Sequence, residues 1–256
     1  MDLLTQFLSE LQAITNLFWR SLKGLRKKPR YFAEIIMQMD QIGVGSFGII
    51  VLTGFFTGGV IILQSYATLE YYGAQSNAGQ GVATALIREL GPVLTALMVA
   101  GRVGSAISAE LGSMVVSQQI DAMRALGTSP VRKLVTPRLI ALIITLPLLT
   151  IAADLFGIIG GGVVARQMHG LDVNIYISSV RTGAKIQDLV GGLIKPVFFG
   201  LIIGLIACYR GLSTTGGTVG VGISTTRAVV AASISVIIAD FFLSKLLQSL
   251  FGTTLF

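Results

Sequence analysis

An apolar run of this chain is interrupted at residues 86–92 by Leu86-Ile87-Arg88-Glu89-Leu90-Gly91-Pro92, and again at residues 101–110 by Gly101-Arg102-Val103-Gly104-Ser105-Ala106-Ile107-Ser108-Ala109-Glu110. Apolar side chains predominate between these two stretches. An ionisable side chain at membrane depth costs roughly 2.5–3.5 kcal/mol on insertion scales, so it usually faces a protein interior or a water-filled cavity. We therefore predict that residues 86–110 form a working transmembrane segment and not a lipid anchor.

The composition indicates a polytopic membrane protein. Hydrophobic residues make up 53% of the 256 residues and charged residues only 12%. A chain of this length and composition contains far more apolar residues than the core of a soluble protein needs. The 31 glycines suit close packing of helices in a bilayer. Cys208 is the single cysteine, which excludes an internal disulfide and a cysteine metal cluster.

Five weakly charged stretches predict the transmembrane helices of an all-α fold. The first contains no charged residue, and each later one carries only a few. Stretches of about 20 apolar residues are long enough to cross a bilayer. Asp154 and Asp240 lie inside the third and fifth stretches, with no partner that the sequence identifies. The predicted spans are residues 41–69, 82–108, 139–165, 189–209 and 228–244.

The placement of lysine and arginine predicts the orientation, because these residues accumulate in cytoplasmic segments. With the N-terminus inside, Arg88, Arg102 and Lys195 lie within spans. Four basic residues lie outside, namely Arg166, Arg181, Lys185 and Lys245. Twelve lie in cytoplasmic segments, namely Arg20, Lys23, Arg26, Lys27, Lys28, Arg30, Arg124, Arg132, Lys133, Arg138, Arg210 and Arg227. We predict a cytoplasmic N-terminus and an external C-terminus.

Residues 1–30 are predicted to form a separate unit, an interfacial amphipathic helix followed by a basic elbow. Trp19 and the basic run up to Arg30 suit the headgroup level of a membrane with anionic lipid, and Gly24 and Pro29 are expected to break the helix. A solvated helix packed on a partner is the alternative. The net charge of +7 is therefore not interpreted as a nucleic-acid signal. Apolar residues recur at helical spacing at Leu3, Leu4, Phe7, Leu8, Leu11, Ile14 and Phe18.

The connector between the second and third spans predicts a short helix. Asp121 and Arg124 lie one turn apart in residues 117–127, and Gly127 is the expected C-terminal stop before Pro130. Such a helix would protrude from the bundle and contact a cytoplasmic partner. The alternative is a loop that only turns the chain. The glycine-rich residues 211–222 are predicted to be a second cytoplasmic connector.

The sequence contains no catalytic constellation that we recognise. His169 is the only histidine and falls in a predicted external loop, so we propose no metal site. A G-x-x-x-x-G-K-[ST] phosphate loop is also absent from the sequence. Any energy from ATP is therefore expected to come from a partner, and the chain is not expected to be an enzyme.

Several motifs resemble the MlaE (YrbE) permeases, the membrane subunits of MCE-associated ABC transporters. The resemblance runs from about Tyr31 to the C-terminus, so that residues 31–256 form an MlaE-type permease domain. The matching segments are Arg88 to Pro92, Ala100 to Ala106, Ala109 to Gly112, Met123 to Gly127, Pro137-Arg138, Leu193 to Lys195 and Gly222 to Arg227.

The resemblance implies a subunit that moves phospholipid between the inner and outer membranes of a bacterium. It implies a second copy of the chain, two cytoplasmic ABC ATPase subunits that use ATP and Mg, and a periplasmic MCE-domain hexamer. A small STAS-domain subunit is a further partner that the family allows. No cofactor is expected on this chain. The expected location is the bacterial inner membrane, with the N-terminus cytoplasmic and the C-terminus periplasmic.

The connector helix resembles the coupling motif of ABC permeases, which is glutamate-alanine-alanine with a glycine four positions on. Here Asp121-Ala122-Met123 precedes Gly127, so the acid is shorter and the second alanine is replaced, while the spacing is kept. The resemblance implies that the ATPase contacts Asp121, Ala122, Met123, Arg124, Ala125, Leu126 and Gly127.

Arg88, Glu89 and Lys195 are the candidate lipid site. Neighbours on a helix diverge, so Arg88 and Glu89 each need another partner, and Lys195 enters the membrane from the same side. One interpretation is that the two cations bind a lipid phosphate while Glu89 balances or gates them. The other is a buried structural ion pair. By resemblance to the family, Leu69 and Tyr72 are candidates for acyl-chain contact, whereas aromatic residues at this end of a span are most often belt anchors.

Small residues on the second span predict close helix packing, within the chain or across a dimer. These residues are Gly101, Gly104, Ser105 and Gly112. Arg102 and Glu110 are expected either to hydrogen-bond at that interface or to reach water. Two other classes of function stay open from the sequence, an ion-gradient-driven secondary transporter and a membrane scaffold that transports nothing.

Overall fold

The computed structural model describes residues 2–25 and 31–251, and all regular structure in this part of the chain is helical. We number eight helical segments along it. Two of them combine α-helix with short π-helical turns. The segments are α1 (Asp2–Leu25), α2 (Phe32–Tyr71), α3 (Gln75–Val116), α4 (Gln119–Ala125), α5 (Val131–His169), α6 (Val173–Gly183), α7 (Ile186–Leu212) and α8 (Gly217–Phe251).

Five of these helices, α2, α3, α5, α7 and α8, are long and apolar enough to cross a membrane, which confirms the predicted number of spans. Successive spans alternate in direction, so the bundle has two ends. The α4 end holds α1, α4 and the α7–α8 connector, and the α6 end holds α6 and the α2–α3 connector. The helices extend beyond the predicted spans because amphipathic turns continue past the apolar core.

Two connectors differ from the sequence-based expectations. Residues 173–183 form α6, begun by Asp172, whose Oδ1 accepts a hydrogen bond from Asn174 N at 2.6 Å. The prediction that residues 211–222 form a glycine-rich connector was wrong in its bounds. Gly211 still belongs to α7, and α8 already begins at Gly217. Within α7, Gly211 allows α3 to approach closely, because a Cβ there would lie 2.9 Å from the Ser108 carbonyl oxygen.

The closest helix contact joins α2 to α5 along glycines. A Cβ on Gly58 would overlap the carbonyl oxygen of Gly157, and a Cβ on Gly160 would overlap that of Phe55. Apolar side chains provide little hydrophobic drive for association in lipid, so backbone contact of this kind supplies much of the packing energy. The rest of the core lies between α3, α5, α7 and α8, around the fully buried Phe199.

The N-terminal helix α1 packs against the α4 end with one face. Glu10 pairs with Arg210 of α7 at 2.8 Å, and Leu17 is buried. Gly24 lies in the last described turn of α1, and its missing side chain lets α1 approach Arg132 of α5, since a Cβ there would lie 3.0 Å from Arg132 Cγ. The basic elbow and Pro29, in residues 26–30, lie outside the described residues. The opposite face of α1 exposes Leu8, Leu11, Trp19 and Leu22.

We expect Gly58→Ala to lower the free energy of unfolding by about 1–3 kcal/mol, because the added methyl group must displace the backbone of α5. The measurement is a denaturant titration of the purified protein in detergent micelles. Gly48→Ala is the matched control, since a Cβ at Gly48 meets nothing within 4 Å. Equal unfolding curves for the two variants would show that the α2–α5 contact is not tight.

Candidate functional site

The candidate site begins with an irregular turn in α3. Residues Leu86–Leu90 form a π-helical turn, in which Gly91 N–H donates to the Leu86 carbonyl. Pro92 follows and has no N–H, so the carbonyl of Arg88, four residues earlier, loses its usual helical donor. In a membrane such a carbonyl must find another donor. The Lys195 Nζ of α7 donates to it at 2.8 Å.

Lys195 holds the centre of an ion-pair network. Its buried ammonium group donates to Glu89 Oε2 at 2.6 Å and lies 3.1 Å from Asp240 Oδ1 of α8. The Arg88 carbonyl and Glu89 thus accept hydrogen bonds from Lys195, and Asp240 adds an ion-pair contact. The side chain of Lys195 is only 3% exposed, so its charge is tolerated because the carboxylates surround it.

Arg88 is joined to Lys195 through its own carbonyl, and its side chain adds Asp188 to the network. Its Nε and Nη2 donate to the two carboxylate oxygens at 2.7 Å and 3.2 Å, which is a bidentate pair. Asp188 is buried in the first turn of α7, where a helix N-terminus favours a negative charge. Ser244 of α8 completes the network by donating to Glu89. The ion-pair network thus comprises Arg88, Glu89, Asp188, Lys195, Asp240 and Ser244.

The network brings together the three predicted residues Arg88, Glu89 and Lys195. It also supplies a partner for Asp240, which the sequence left without one, and adds Asp188, which lies one residue before the predicted fourth span. No local pattern signals Asp188, because its partner Arg88 lies 100 residues away in sequence.

The two cations of the network face three carboxylates, so neither is an open phosphate site in this arrangement. Lys195 and Asp188 are buried, whereas the side chain of Glu89 is 47% exposed. The geometry therefore suits the structural interpretation, in which the network joins α3, α7 and α8. A lipid phosphate could meet Arg88 or Lys195 only by displacing a carboxylate from it.

The remaining lipid-path candidates lie elsewhere at the α6 end. Leu69 packs beside the cluster around Tyr66, Val82 and Leu86, on the side of α3 that faces α2, and Tyr72 is exposed. His169 ends α5 instead of lying in a loop, and its ring stacks on Tyr66 with centroids 3.8 Å apart. These residues form an aromatic border beside the bundle.

Tyr176 joins α6 to α5 beside this aromatic border. Its hydroxyl donates to the Ile158 carbonyl at 2.9 Å, and burial raises the pKa of the phenol, which keeps it a donor.

Asp154 is the second acid that the sequence left unpartnered. Its Oδ1 lies against Gly91, where a Cβ would overlap it, and accepts no hydrogen bond within the described part of the chain. No three histidine, cysteine, aspartate or glutamate side chains are grouped as metal ligands within residues 2–25 and 31–251.

The connector helix α4 forms at the opposite end of α3. It spans Gln119–Ala125, begins after Gln118 in a left-handed conformation (φ 58°) and is followed by Gly127 at φ 72°, the stop that the sequence predicted. Arg124 and Asp121 pair at 2.9 Å across one turn. Ile120 is buried and anchors the helix, whereas Leu126 is 82% exposed.

The small residues of α3 divide into two groups. Gly104 and Gly112 are buried, and a Cβ on Gly112 would lie 2.8 Å from Thr214 Oγ1 in the α7–α8 connector. Gly101 is exposed and Ser105 half-buried, so no helix of the described residues 2–25 and 31–251 fully covers this small-residue surface. The two buried glycines thus pack against other helices of the chain, whereas Gly101 and Ser105 are accessible to a contact from outside it.

Arg102 and Glu110 bond within the chain. Arg102 Nη1 donates to Ser46 Oγ of α2 at 2.8 Å, and Glu110 pairs with the buried Arg138 of α5 at 2.7 Å. The sequence-based alternative of side chains that only reach water is therefore not what the structure shows.

We expect Lys195→Met to destabilise the protein by about 3–5 kcal/mol, because it leaves Glu89 and Asp240 without their cation. Adding Asp240→Asn should recover part of the loss by removing one of the stranded charges. Lys245→Met, at an exposed position of α8, is the matched control. Denaturant unfolding in micelles measures all three, and equal stability of the Lys195→Met and Lys245→Met variants would contradict the network.

Comparison with known proteins places the chain in a family. The family model described as Permease MlaE matches residues 35–246. A probable ABC transporter permease protein of Rickettsia prowazekii is 41% identical over 226 residues, covering 88% of this chain and 87% of that protein. A probable ABC transporter permease protein of Synechocystis is 42% identical over 217 residues, covering 85% and 82%. The intermembrane phospholipid transport system permease protein MlaE of Haemophilus influenzae is 37% identical over 228 residues, covering 89% and 87%. The chain belongs to the MlaE permease family and is a membrane permease subunit.

Proposed function

We propose that this permease moves phospholipid between the inner and outer membranes of a bacterium, with ATP and Mg used by a partner subunit. The observation that carries the proposal is the match to the MlaE family over residues 35–246, together with the relative from Haemophilus influenzae named for intermembrane phospholipid transport. The five spans supply the membrane body that such a subunit needs.

The α4 end is the proposed docking surface for two ABC ATPase subunits. A helix of seven residues protrudes there between two spans, with Leu126 exposed at its tip and the Asp121–Arg124 pair beside it. The excess of lysine and arginine at this end suits a cytoplasmic location, which makes the N-terminus cytoplasmic and the C-terminus periplasmic. Asp121 to Gly127 would carry the mechanical link to ATP hydrolysis.

A second copy of the chain is the proposed cover for the small-residue surface of α3. Gly101 and Ser105 lie exposed on a transmembrane helix, where close approach of another helix is favourable. Beside them, a cavity of about 460 Å³ between α2 and α3 is lined in part by Arg102, Glu110 and Asp40. The MCE-domain hexamer at the α6 end and the STAS-domain subunit rest on the family resemblance alone.

The lipid path is proposed to pass the α6 end. Among the charged members of the ion-pair network, Glu89 has the most exposed side chain, and Leu69 and the exposed Tyr72 lie at the same end of the bundle, where α2 ends. A lipid phosphate would compete with Glu89 or Asp188 for Lys195 or Arg88, so that lipid entry and loosening of α3 from α7 and α8 are linked. This linkage gives the network a role in transport besides stability.

A carrier driven by an ion gradient is the second candidate. The observation that favours it is the buried, unbonded carboxylate oxygen of Asp154 inside a span. Such a carrier would move its substrate across vesicles in response to an imposed proton gradient without ATP. Lipid movement that needs ATP and ignores the gradient would exclude it.

We expect the native complex to contain phospholipid and an ABC ATPase, and to hydrolyse ATP faster when phospholipid is supplied. Mass spectrometry of the complex purified under mild conditions identifies both companions, and phosphate release measures hydrolysis. A pure homo-oligomer with no ATPase subunit would count against the proposal.

We expect Leu126→Asp to weaken retention of the ATPase subunit at least about tenfold, because it places a charge in an apolar docking contact. Arg124→Glu should reduce lipid-stimulated ATP hydrolysis by reversing the charge beside it. Co-purification and hydrolysis assays measure these effects. Met168→Asp, exposed at the α6 end, is the control and should leave both unchanged. Normal ATPase retention in the Leu126→Asp variant would rule out α4 as the docking helix.

A further inference from the structure

A cationic cavity lies at the α4 end, between α1, α4 and the start of α5. Its volume is about 290 Å³, and nine residues line it. Four of the nine are cations and none is acidic, while Asp121 outside the lining pairs with Arg124 at 2.9 Å. These cations are Arg20, Lys23, Arg124 and Arg132. We call this cavity the basic pocket.

Three separate elements build the basic pocket. The C-terminal turns of α1 supply Arg20 and Lys23, α4 supplies Arg124, and the first turn of α5 supplies Arg132. Gly24 fixes the approach of α1, because a Cβ there would lie 3.0 Å from Arg132 Cγ. The fold thus brings together cations that are more than 100 residues apart in sequence. Like charges gathered around one cavity repel, so the pocket is a favourable place for an anion.

A second cavity continues from the basic pocket along α1. Its volume is about 310 Å³, and it shares Arg20 and Leu212 with the basic pocket. Of its five other lining residues, Ala13, Leu17 and Tyr209 are apolar or aromatic, whereas Asn16 and Ser213 are polar. A cationic compartment joined to a partly apolar one with a single cation matches an amphiphile, whereas an acidic peptide would need charged or polar partners along its whole length.

The location of the two cavities also favours a lipid. The outer face of α1 exposes Leu8, Leu11, Trp19 and Leu22, and Trp19 precedes Arg20 directly. An exposed tryptophan beside basic residues on an amphipathic helix is typical of the headgroup level of a membrane. The basic pocket therefore opens where phosphate groups of lipids are concentrated.

We propose that the basic pocket binds the phosphate of an anionic phospholipid, whose glycerol and first acyl carbons lie in the adjoining, partly apolar cavity. This site goes beyond the transport function, because it lies at the α4 end, away from the ion-pair network and the lipid path. The bound lipid bridges α1 to Arg124 of the connector helix. The lipid composition of the membrane thereby influences the position of α4.

The fluorescence of Trp19 tests the proposal on the full chain, because it is the only tryptophan in the sequence. The protein is reconstituted in phosphatidylcholine vesicles that contain a minor fraction of brominated phosphatidylglycerol or, separately, brominated phosphatidylcholine. Bromine quenches tryptophan on contact. We expect stronger quenching by the anionic lipid at equal bromine content.

Variants locate the binding to the pocket. Arg20→Gln with Lys23→Gln should weaken the apparent affinity for phosphatidylglycerol about tenfold, and Arg124→Gln with Arg132→Gln should do the same from the other wall. Lys23→Gln alone changes one exposed side chain and serves where a double variant fails to fold. Arg181→Gln with Lys185→Gln removes the same charge at the α6 end and should leave quenching unchanged.

Several outcomes would overturn the proposal. Equal quenching by the two lipids would show that the protein has no preference for the anionic headgroup, and an equal loss in the Arg181–Lys185 control would show only general surface attraction. If inorganic phosphate abolishes the excess quenching and alone raises the unfolding temperature in lipid-free micelles, the pocket binds free phosphate. If the Arg20–Lys23 variant quenches normally but loses the ATPase subunit, the pocket is a protein-docking site.

Discussion

The arrangement of the bundle depends on a single carbonyl group that has no ordinary helical donor. Pro92 removes the N–H that would bond to the Arg88 carbonyl, in a helix that is long and apolar enough to cross a membrane. Lys195 replaces that donor from the facing helix, and its charge must then be balanced by Glu89 and Asp240. The missing backbone N–H donor of Pro92 thus determines how α3 contacts α7 and α8. The π-helical turn before Pro92 aims Arg88 and Glu89 at those helices.

The helix α3 connects this contact to the connector helix at the other end. Arg88 and Arg102 are about 20 Å apart at helical rise, and each lies in a π-helical turn. Between the ends, buried small residues hold α3 tightly to its neighbours. The helix α3 is thus tightly packed over the length that joins the ion-pair network to α4.

Local pattern predicted the elements of the fold but only part of its contacts. The five spans could be predicted from hydropathy, and the end of the connector helix from Gly127, which follows Leu126. Both signals lie in residues that are close together in the sequence. Asp188 was missed because its partner Arg88 is 100 residues away, and no local period reports such a distance. The helix α6 was missed because it is short and amphipathic, although Asp172 is an N-cap signal. The pairing of Asp240 with Lys195 likewise needed the three-dimensional structure.

The most direct test of this account is a double-mutant cycle on Pro92 and Lys195. Pro92→Ala restores an N–H that can bond to the Arg88 carbonyl, so Lys195 is no longer its sole replacement donor. The account predicts that the cost of Lys195→Met, measured by denaturant unfolding in micelles, is smaller by about 1–3 kcal/mol in the Pro92→Ala background. Costs that are equal in both backgrounds would contradict the claim that Lys195 replaces the donor that Pro92 removes.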